Sequence, residues 1–330
     1  MLLREFYLTV AASDESATLY LQEKGIIQVQ DSCEKCDGPM RLTNKKSRGQ
    51  DRMVWRCKRK GCQATRSTRT GNNFFTYTDL NCKLNSCLSL CKIMELVYLW
   101  TLSMDVDTVQ TITGRSPTTI VDWFNYCREV CSAKVSVLKR GQMKGTESSP
   151  VQIDEARFAG RRKYNRGRML DGDHAPEEED EETVENNRNH GRRIDGPWVF
   201  GLIQGRDVRY FYVEKRNVET LIPIIQREVE VGSVIHSDEW PAYSRLQHLG
   251  FVHETVNHQR HYVDPATGAH TQRIERSWLE SKYSILKKKR GVPIHHFQGH
   301  LDEYCWRFSK GADADLFICI LEDIREIFNT

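Results

Sequence analysis

The chain has 330 residues, of which 39% are hydrophobic and 28% charged, a balance that suits two or three water-soluble domains. No stretch approaches the roughly 18 uninterrupted apolar residues of a membrane span. The amino terminus, with Arg4 and Glu5 close to a short apolar run, lacks the h-region and small-residue cleavage site of a secretion signal, so secretion is not expected. The eleven cysteines are then expected to be reduced thiols or metal ligands.

The formal net charge of +3 hides a partition. Residues 1–149 hold 22 Lys and Arg against 15 Asp and Glu, and residues 30–70 alone hold 12 against 4. Nine acids fall between Asp171 and Glu185, where there is no Lys or Arg; without them the chain would carry +12. A basic chain with one acidic insertion points to a polyanionic partner, because clustered Lys and Arg neutralise phosphates and release counterions.

Taken in order, a first helix is predicted over Asp14–Lys24, with Asp14 or Ser16 as cap, Leu19, Leu21 and Ile26 as apolar contacts and Gly25 as its end. A cysteine-rich basic module follows. The run Leu84–Leu102 is too densely apolar for an exposed helix, a second helical stretch is predicted from Ser116 to about Val137, and residues 141–149, GQMKGTESS, have the composition of a linker. Beyond it, Val151–Phe158, Trp198–Gln204, Val208–Val213 and Ser233–Ser237 are short β-branched and aromatic runs, with a hairpin turn at Gly205-Arg206-Asp207. Helical spacing over Asn217–Val229, Thr271 to about Lys289, Leu301–Phe308 and Leu316–Phe328 completes an α/β domain. The acidic segment Asp171–Asn187 reads as a disordered loop. The expected organisation is an N-terminal helix (1–30), a zinc ribbon (31–76), a helical segment (77–140), a linker (141–149), a catalytic α/β domain (150–310) with the acidic insertion at 171–187, and a C-terminal helix (311–330).

Cys33-x2-Cys36 is followed after 20 residues by Cys57-x4-Cys62. Two such pairs across a ribbon-length loop suit one structural, tetrahedral Zn²⁺, the metal replacing a core too small to stand alone. Trp55 and Arg41, Lys45, Lys46, Arg48, Arg52 and Arg56 lie between the pairs, which favours nucleic-acid contact; a ribbon can equally bind protein or dimerise. Cys82, Cys87 and Cys91 invite a second metal site. The four-residue spacing of Cys87 and Cys91, like that of Cys127 and Cys131, is better explained by thiols on a buried helix face.

Asp105–Gly114 and Arg115–Phe124 have the form of a helix-turn-helix, with Ser116 capping, Pro117 in the first turn and Ile120, Val121 and Phe124 facing inward. In that reading Thr118, Thr119 and Asp122 lie near a DNA groove and Arg115 near phosphate; a hairpin that merely fills a core is the alternative.

Three acids stand out by their setting. Asp154 interrupts the run Val-Gln-Ile-Asp-Glu-Ala-Arg-Phe, and Asp238 ends Val-Ile-His-Ser-Asp. An Asp inside or just beyond an apolar strand is costly without a cation. Glu275 sits on a helix whose Ile274 and Trp278 can face a sheet, and Lys282, seven residues on, returns to within roughly 20° of the same face. Two strand aspartates and a helix glutamate are what a paired Mg²⁺ site for phosphoryl transfer requires.

The runs Val-Gln-Ile-Asp-Glu155, His-Ser-Asp-Glu-Trp-Pro-Ala-Tyr243 and Val256-Asn-His-Gln-Arg-His-Tyr-Val-Asp-Pro-Ala-Thr-Gly-Ala-His-Thr-Gln-Arg-Ile-Glu-Arg-Ser-Trp278 resemble the Merlin superfamily of cut-and-paste DNA transposases and their bacterial insertion-sequence relatives, over about residues 150–310. The resemblance implies an RNase H-like fold and a DDE triad of Asp154, Asp238 and Glu275 holding two Mg²⁺ (or Mn²⁺) ions. It implies that Lys282 contacts DNA phosphate, and that His236, His258, His270 and Trp278 support the site; His258 and His270 orient phosphate or a carboxylate, or make structural hydrogen bonds. The implied partners are terminal inverted repeats, target DNA and a second copy of the chain. The implied location is the nucleus in a eukaryote and the cytoplasm otherwise. The acidic insertion departs from the pattern: it either shields the basic stretch 156–168 until DNA displaces it or acts as a spacer. A transposase-derived DNA-binding regulator that no longer cuts is the alternative reading, against which the presence of all three acids argues.

Overall fold

A computed structural model describes residues 1–30, 32–44, 53–76, 88–159, 196–257, 260, 262–289 and 292–328. The acidic segment, the basic residues 161–168, Lys45, Lys46, Arg48, Arg52, Cys82, Cys87, His258 and Arg290 lie outside the described residues. In chain order the helices are α1 Leu3–Thr9, α2 Asp14–Glu23, α3 Leu90–Thr101, α4 Val106–Thr113, α5 Pro117–Val135, α6 Val137–Arg140, α7 Val218–Glu228, α8 Gln272–Lys282, α9 Ile294–Lys310 and α10 Leu316–Phe328. The strands are β1 Met40–Asn44, β2 Met53–Cys57, β3 Thr65–Ser67, β4 Val151–Arg157, β5 Trp198–Gln204, β6 Asp207–Val213, β7 Val234–Asp238 and β8 Val252–Val256. They divide into two units, Met1–Val130 with Asp313–Thr330, and Cys131–Ala312.

In the first unit, Phe6 of α1 stacks on Tyr98 of α3 at 4.1 Å and meets Phe317 of α10 edge-on at 5.3 Å. With Ile93, Val97, Ile320 and Ile324 buried on α3 and α10, the C-terminal helix groups with this unit instead of completing the α/β domain. Its apolar stripe announced a buried face but not the surface that would cover it. The cap of α2 is Ser13, whose hydroxyl accepts the Ser16 N–H at 3.0 Å, in place of Asp14 or Ser16. Leu21 is fully buried as expected, whereas Leu19 is half exposed.

Asp105 caps α4, and Gly114 ends it at φ 64°, a left-handed conformation that glycine adopts without strain. The Ser116 hydroxyl accepts the Thr119 N–H, and Pro117 opens α5. Ile120, Trp123, Phe124 and Cys127 form the buried face of α5. Val121 faces solvent instead of packing inward, because it lies about 100° around the helix from Ile120.

The second unit is built on a five-stranded sheet of order β6-β5-β4-β7-β8. The first three strands form an antiparallel meander, its hairpin closed by Gln204↔Asp207, and β7 and β8 run parallel to β4. Alternation along β4 separates two cores. Val151 and Ile153 pack under α7 with Leu221, Ile222 and Ile225, while Ala156 and Phe158 share the other face with Ile274 and Trp278 of α8 and Phe297 and Leu301 of α9. The edge strand β8 was not predicted: Val-His-Glu-Thr-Val is half exposed and carries no apolar run.

Segment 141–149 behaves as a strap more than a linker. Met143 is buried and exchanges backbone hydrogen bonds with Glu228 and Glu230, and the Gly145 carbonyl accepts the Val234 N–H. A Cβ on Gly145 would stand 2.2 Å from the Val234 oxygen, so only glycine allows this approach.

Candidate active site

The register of β4 on β7 pairs Val151 with Ile235 and Gln152 with His236. Two residues further along each parallel strand, Asp154 and Asp238 come side by side on the face covered by α8. Across β5, Asp154 is paired with Gly201. The missing side chain there leaves room for the Trp278 indole, which stacks on Tyr210 at 4.1 Å and meets Phe158 edge-on. A Cβ on Gly201 would lie 2.5 Å from two atoms of that ring.

Trp278 Nε1–H donates to Asp154 Oδ2 at 3.0 Å, and the Glu155 N–H donates to Oδ1 at 2.8 Å. Both bonds favour the charged carboxylate. Burial, and after it the charges of Asp238 and Glu275, outweigh them and push the Asp154 carboxyl up to about 7. Asp238 is half-buried, its Oδ1 accepting the Trp240 N–H at 3.1 Å. Glu275 lies in the first turn of α8 and accepts the Thr271 hydroxyl at 2.8 Å. The three carboxylates are neighbours without a closed cluster: among the described residues, only the four ribbon cysteines bring their ligand atoms within 4.8 Å of one another.

The glutamate helix is held by Gln152, which sequence reasoning passed over. Its buried Oε1 accepts the N–H groups of Arg273 and Ile274, two donors that the first turn of a helix leaves without an internal partner. With the amide so oriented, Nε2 donates to His270 Nδ1 at 3.0 Å, leaving the His270 proton on Nε2. The His270 backbone N–H in turn donates to His236 Nδ1, so His236 carries its proton on Nε2 and donates it to Glu254 at 3.1 Å. His236 is thereby a buried neutral link between strands; burial lowers its pKa, against the pull of Glu254. Lys282 lies with its Nζ 5.7 Å from the Phe158 ring centroid. Burial lowers its pKa while the charge of Asp154 raises it.

Glu155 was also passed over because, next to Asp154 in a strand, it points to the opposite face. There it accepts a hydrogen bond from the buried Tyr243 hydroxyl. Burial pushes its carboxyl up to about 7, the Tyr243 bond and Arg216 opposing and the two aspartates adding to the rise.

In the ribbon, Cys33 and Cys62 sulfurs are 3.7 Å apart and Cys36 and Cys57 sulfurs 3.5 Å apart. Tetrahedral Zn–S bonds of about 2.3 Å place sulfurs about 3.8 Å apart, so the quartet fits a zinc ion. The backbone N–H of Gly38 brings the Cys36 thiol down to about 7, while burial and the neighbouring sulfurs hold Cys57 and Cys62 up. Trp55, expected to face nucleic acid, is instead buried in the ribbon core with Met40, Cys33 and Cys57. Arg41 and Arg56 are exposed and directly opposed across β1 and β2.

Of the helical-segment residues, Thr118 and Asp122 are exposed and Thr119 is half-buried against the Ser116 hydroxyl. Arg115, expected near phosphate, is committed inside its own unit to Glu95 at 2.7 Å. Lys289, part of the C-terminal basic run, turns inward to Glu303 and His300, whereas Lys287 and Lys288 are not so engaged among the described residues.

The model of the ISXO2-like transposase domain matches residues 144–309. An uncharacterized transposase-like protein of Haemophilus influenzae is 32% identical over 91 residues, 28% of this chain and 72% of that protein. Two solved structures show weak likeness. A chain of the simian T-cell lymphotropic virus intasome with PP2A regulatory subunit B56 gamma matches at 13% identity and a TM-score of 0.27, over 64% of this chain and 67% of that one. The Mos1 strand transfer complex matches at 11% and 0.18, over 70% and 77%; scores this low carry no argument. The family match spans half of the chain and encloses the strands and helix that carry Asp154, Asp238 and Glu275, and the chain belongs to the ISXO2-like transposase domain family.

Proposed function

We propose that the protein is a DDE-type DNA transposase on an RNase H-like domain, of the Merlin kind within this wider family, that cleaves transposon ends and joins them to target DNA. The observation that carries the reading is the placement of Asp154 and Asp238 on neighbouring parallel strands, with the glutamate helix docked over them by Gln152 and Trp278. A meander of three strands extended by two parallel ones supports the RNase H-like assignment.

The donor set is all hard oxygen, and a carboxyl pushed up to about 7 by burial and two like charges is a group in need of a counter-cation. Asp154, Asp238 and Glu275 would hold two Mg²⁺ (or Mn²⁺) ions, which supply Lewis-acid stabilisation of the attacking and leaving oxygens at phosphorus. In the first step water cleaves the phosphodiester at the transposon end and leaves a 3′-hydroxyl; in the second that hydroxyl attacks a target phosphodiester and expels its 3′-oxygen. Trp278 fixes the Asp154 carboxylate so that its remaining lone pairs face the reacting atoms. Lys282 contacts phosphate beside the aspartates, and His270 offers its Nε2–H as a donor.

The zinc ribbon, with Arg41 and Arg56 on its exposed face, and helices α4 and α5, with Thr118 and Thr119, recognise the terminal inverted repeats. Synapsis of two ends calls for a dimer or larger assembly. Incubating the protein with Mg²⁺ and duplexes made from the DNA flanking its gene should yield cleavage at the ends. Asp154→Asn and Glu275→Gln should abolish cleavage and keep end binding; cleavage by either variant would overturn the assignment.

A further inference from the structure

We infer that Arg216, clamped between Trp198 and Trp240, is a second DNA-phosphate site at the carboxylate-bearing strand ends, on the face of the sheet opposite Lys282. The inference rests on the transposase reading for its partner, DNA. Arg216 lies in the loop from β6 to α7, and its Cζ is 4.5 Å from the Trp198 ring centroid and 4.2 Å from that of Trp240. Arg157 stacks on the same Trp198 ring at 4.7 Å, so guanidinium and indole alternate.

Three features distinguish this group from an ordinary surface arginine. First, it is exposed, and no carboxylate, carbonyl or hydroxyl among the described residues accepts a hydrogen bond or forms an ion pair with its guanidinium. Second, two indoles lie against its guanidinium, a contact that restricts its orientation and leaves N–H donors able to bind. Third, Trp240 Nε1–H donates to the Arg216 carbonyl at 3.4 Å, tying the loop to the strand end that carries Asp238 two residues earlier. Arg157, three residues beyond Asp154 and paired in register with Trp198, marks the other aspartate strand.

Neutralising Glu155 is the simpler role for Arg216. That carboxylate already has Tyr243 as its hydrogen-bond donor, and the Arg216 charge acts on it only through space. A planar, pre-oriented fork with free donors fits a phosphodiester, which takes two parallel N–H bonds. With Lys282 on the α8 face, the three carboxylates are then flanked by a phosphate contact on each side, which would hold a DNA strand across the site.

The test measures binding apart from chemistry, with Glu275→Gln protein and a fluorescein-labelled random-sequence duplex. Arg216→Ala should weaken binding about five- to tenfold near 0.1 M salt and make the slope of log K against log salt shallower by about 0.9. Arg216→Lys should recover the slope but only part of the affinity, since an ammonium cannot be held flat between two rings. Labelling of Arg216 by phenylglyoxal, read by peptide mass spectrometry, should be blocked by the duplex. Unchanged affinity and slope in Arg216→Ala, or labelling that DNA does not suppress, would overturn the clamp. Cleavage retained by Asp154→Asn alongside lost affinity in Arg216→Ala would sink the catalytic reading and leave the clamp standing. A protein that binds no duplex overturns both.

Discussion

The contact between Trp278 and Gly201 makes a sharp prediction. Alanine at 201 places a Cβ 2.5 Å from Cη2 and Cζ2 of the indole and 3.0 Å from Cδ1 of Tyr210. Neither ring can yield cheaply: the two stack on each other, Phe158 abuts the indole, and the Tyr210 hydroxyl is bonded to Ser277 at 2.5 Å. Overpacking of this kind costs about 1–3 kcal/mol. If the indole swings aside it also forfeits its bond to the buried Asp154 carboxylate, worth about 1.5–3 kcal/mol. A loss of about 4 kcal/mol would lower the melting temperature of the second unit by roughly 10 °C. Trp278→Phe removes the clashing benzo atoms together with Nε1, so Gly201→Ala in that background should cost less than about 1 kcal/mol more. The assay is a double-mutant cycle by thermal and urea unfolding, with DNA cleavage as the second readout. Equal cost of Gly201→Ala in both backgrounds would refute the idea that the glycine exists to admit the indole.

Two further predictions concern the ribbon and the glutamate helix. The purified protein should carry one zinc per chain by mass spectrometry under native conditions; Cys33→Ser should lose the ion and the fold of residues 32–67, and zinc-free protein that keeps its ribbon spectrum would refute the metal assignment. Gln152→Met, of similar volume, orphans the N–H groups of Arg273 and Ile274 and should cost about 2 kcal/mol in unfolding free energy. Because it loosens the placement of Glu275, it should lower the cleavage rate at saturating DNA while leaving DNA affinity unchanged; the reverse pattern would place Gln152 in binding instead.

What the sequence disclosed follows from the range over which its signals act. Asp154 and Asp238 were legible because a carboxylate in or beside an apolar strand contradicts its local surroundings, and the contradiction is visible in five residues. Gly201 was not, since within Trp-Val-Phe-Gly-Leu-Ile-Gln it looks like a weak point in a strand; its purpose depends on Trp278, 77 positions later. Gln152 suffered the same way: a polar residue next to Val151 reads as ordinary alternation until the helix it caps is in place. Residues 141–149 read as a linker because backbone pairing of Met143 and Gly145 leaves no compositional trace. Arg115 and Trp55 were assigned outward roles from their neighbours in sequence, whereas a half-buried glutamate and a cysteine cluster claim them in space.

Asp154, with Glu155 beside it, sets a pH dependence of stability. In the folded chain its carboxyl keeps a proton until about pH 7, whereas the unfolded chain releases it near 3.8. Between these values the folded state binds more protons, so the stability of the metal-free protein should fall as pH rises from about 4 to about 7 and level off above; a difference of this size is worth on the order of 4 kcal/mol. Lys282 cannot remove the penalty, because its own burial opposes its charge. The Glu155 N–H and the Trp278 bond already favour the anion, and they do not suffice. A cation added from solution can hold the Asp154 carboxyl ionised beside Asp238 and Glu275 at little cost, so Mg²⁺ should stabilise the protein strongly at pH 8 and hardly at pH 5. Asp154→Asn should remove the Asp154 share of the wild-type decline, leaving that of Glu155, and abolish the difference that Mg²⁺ makes, a comparison in which the ribbon's own acid lability cancels. Thermal unfolding of both proteins across this range, with and without Mg²⁺, measures it. A wild-type profile that coincides with that of Asp154→Asn, or a Mg²⁺ effect indifferent to pH, would mean that Asp154 is not the buried carboxyl, raised by the charges of Asp238 and Glu275, on which the proposed chemistry depends.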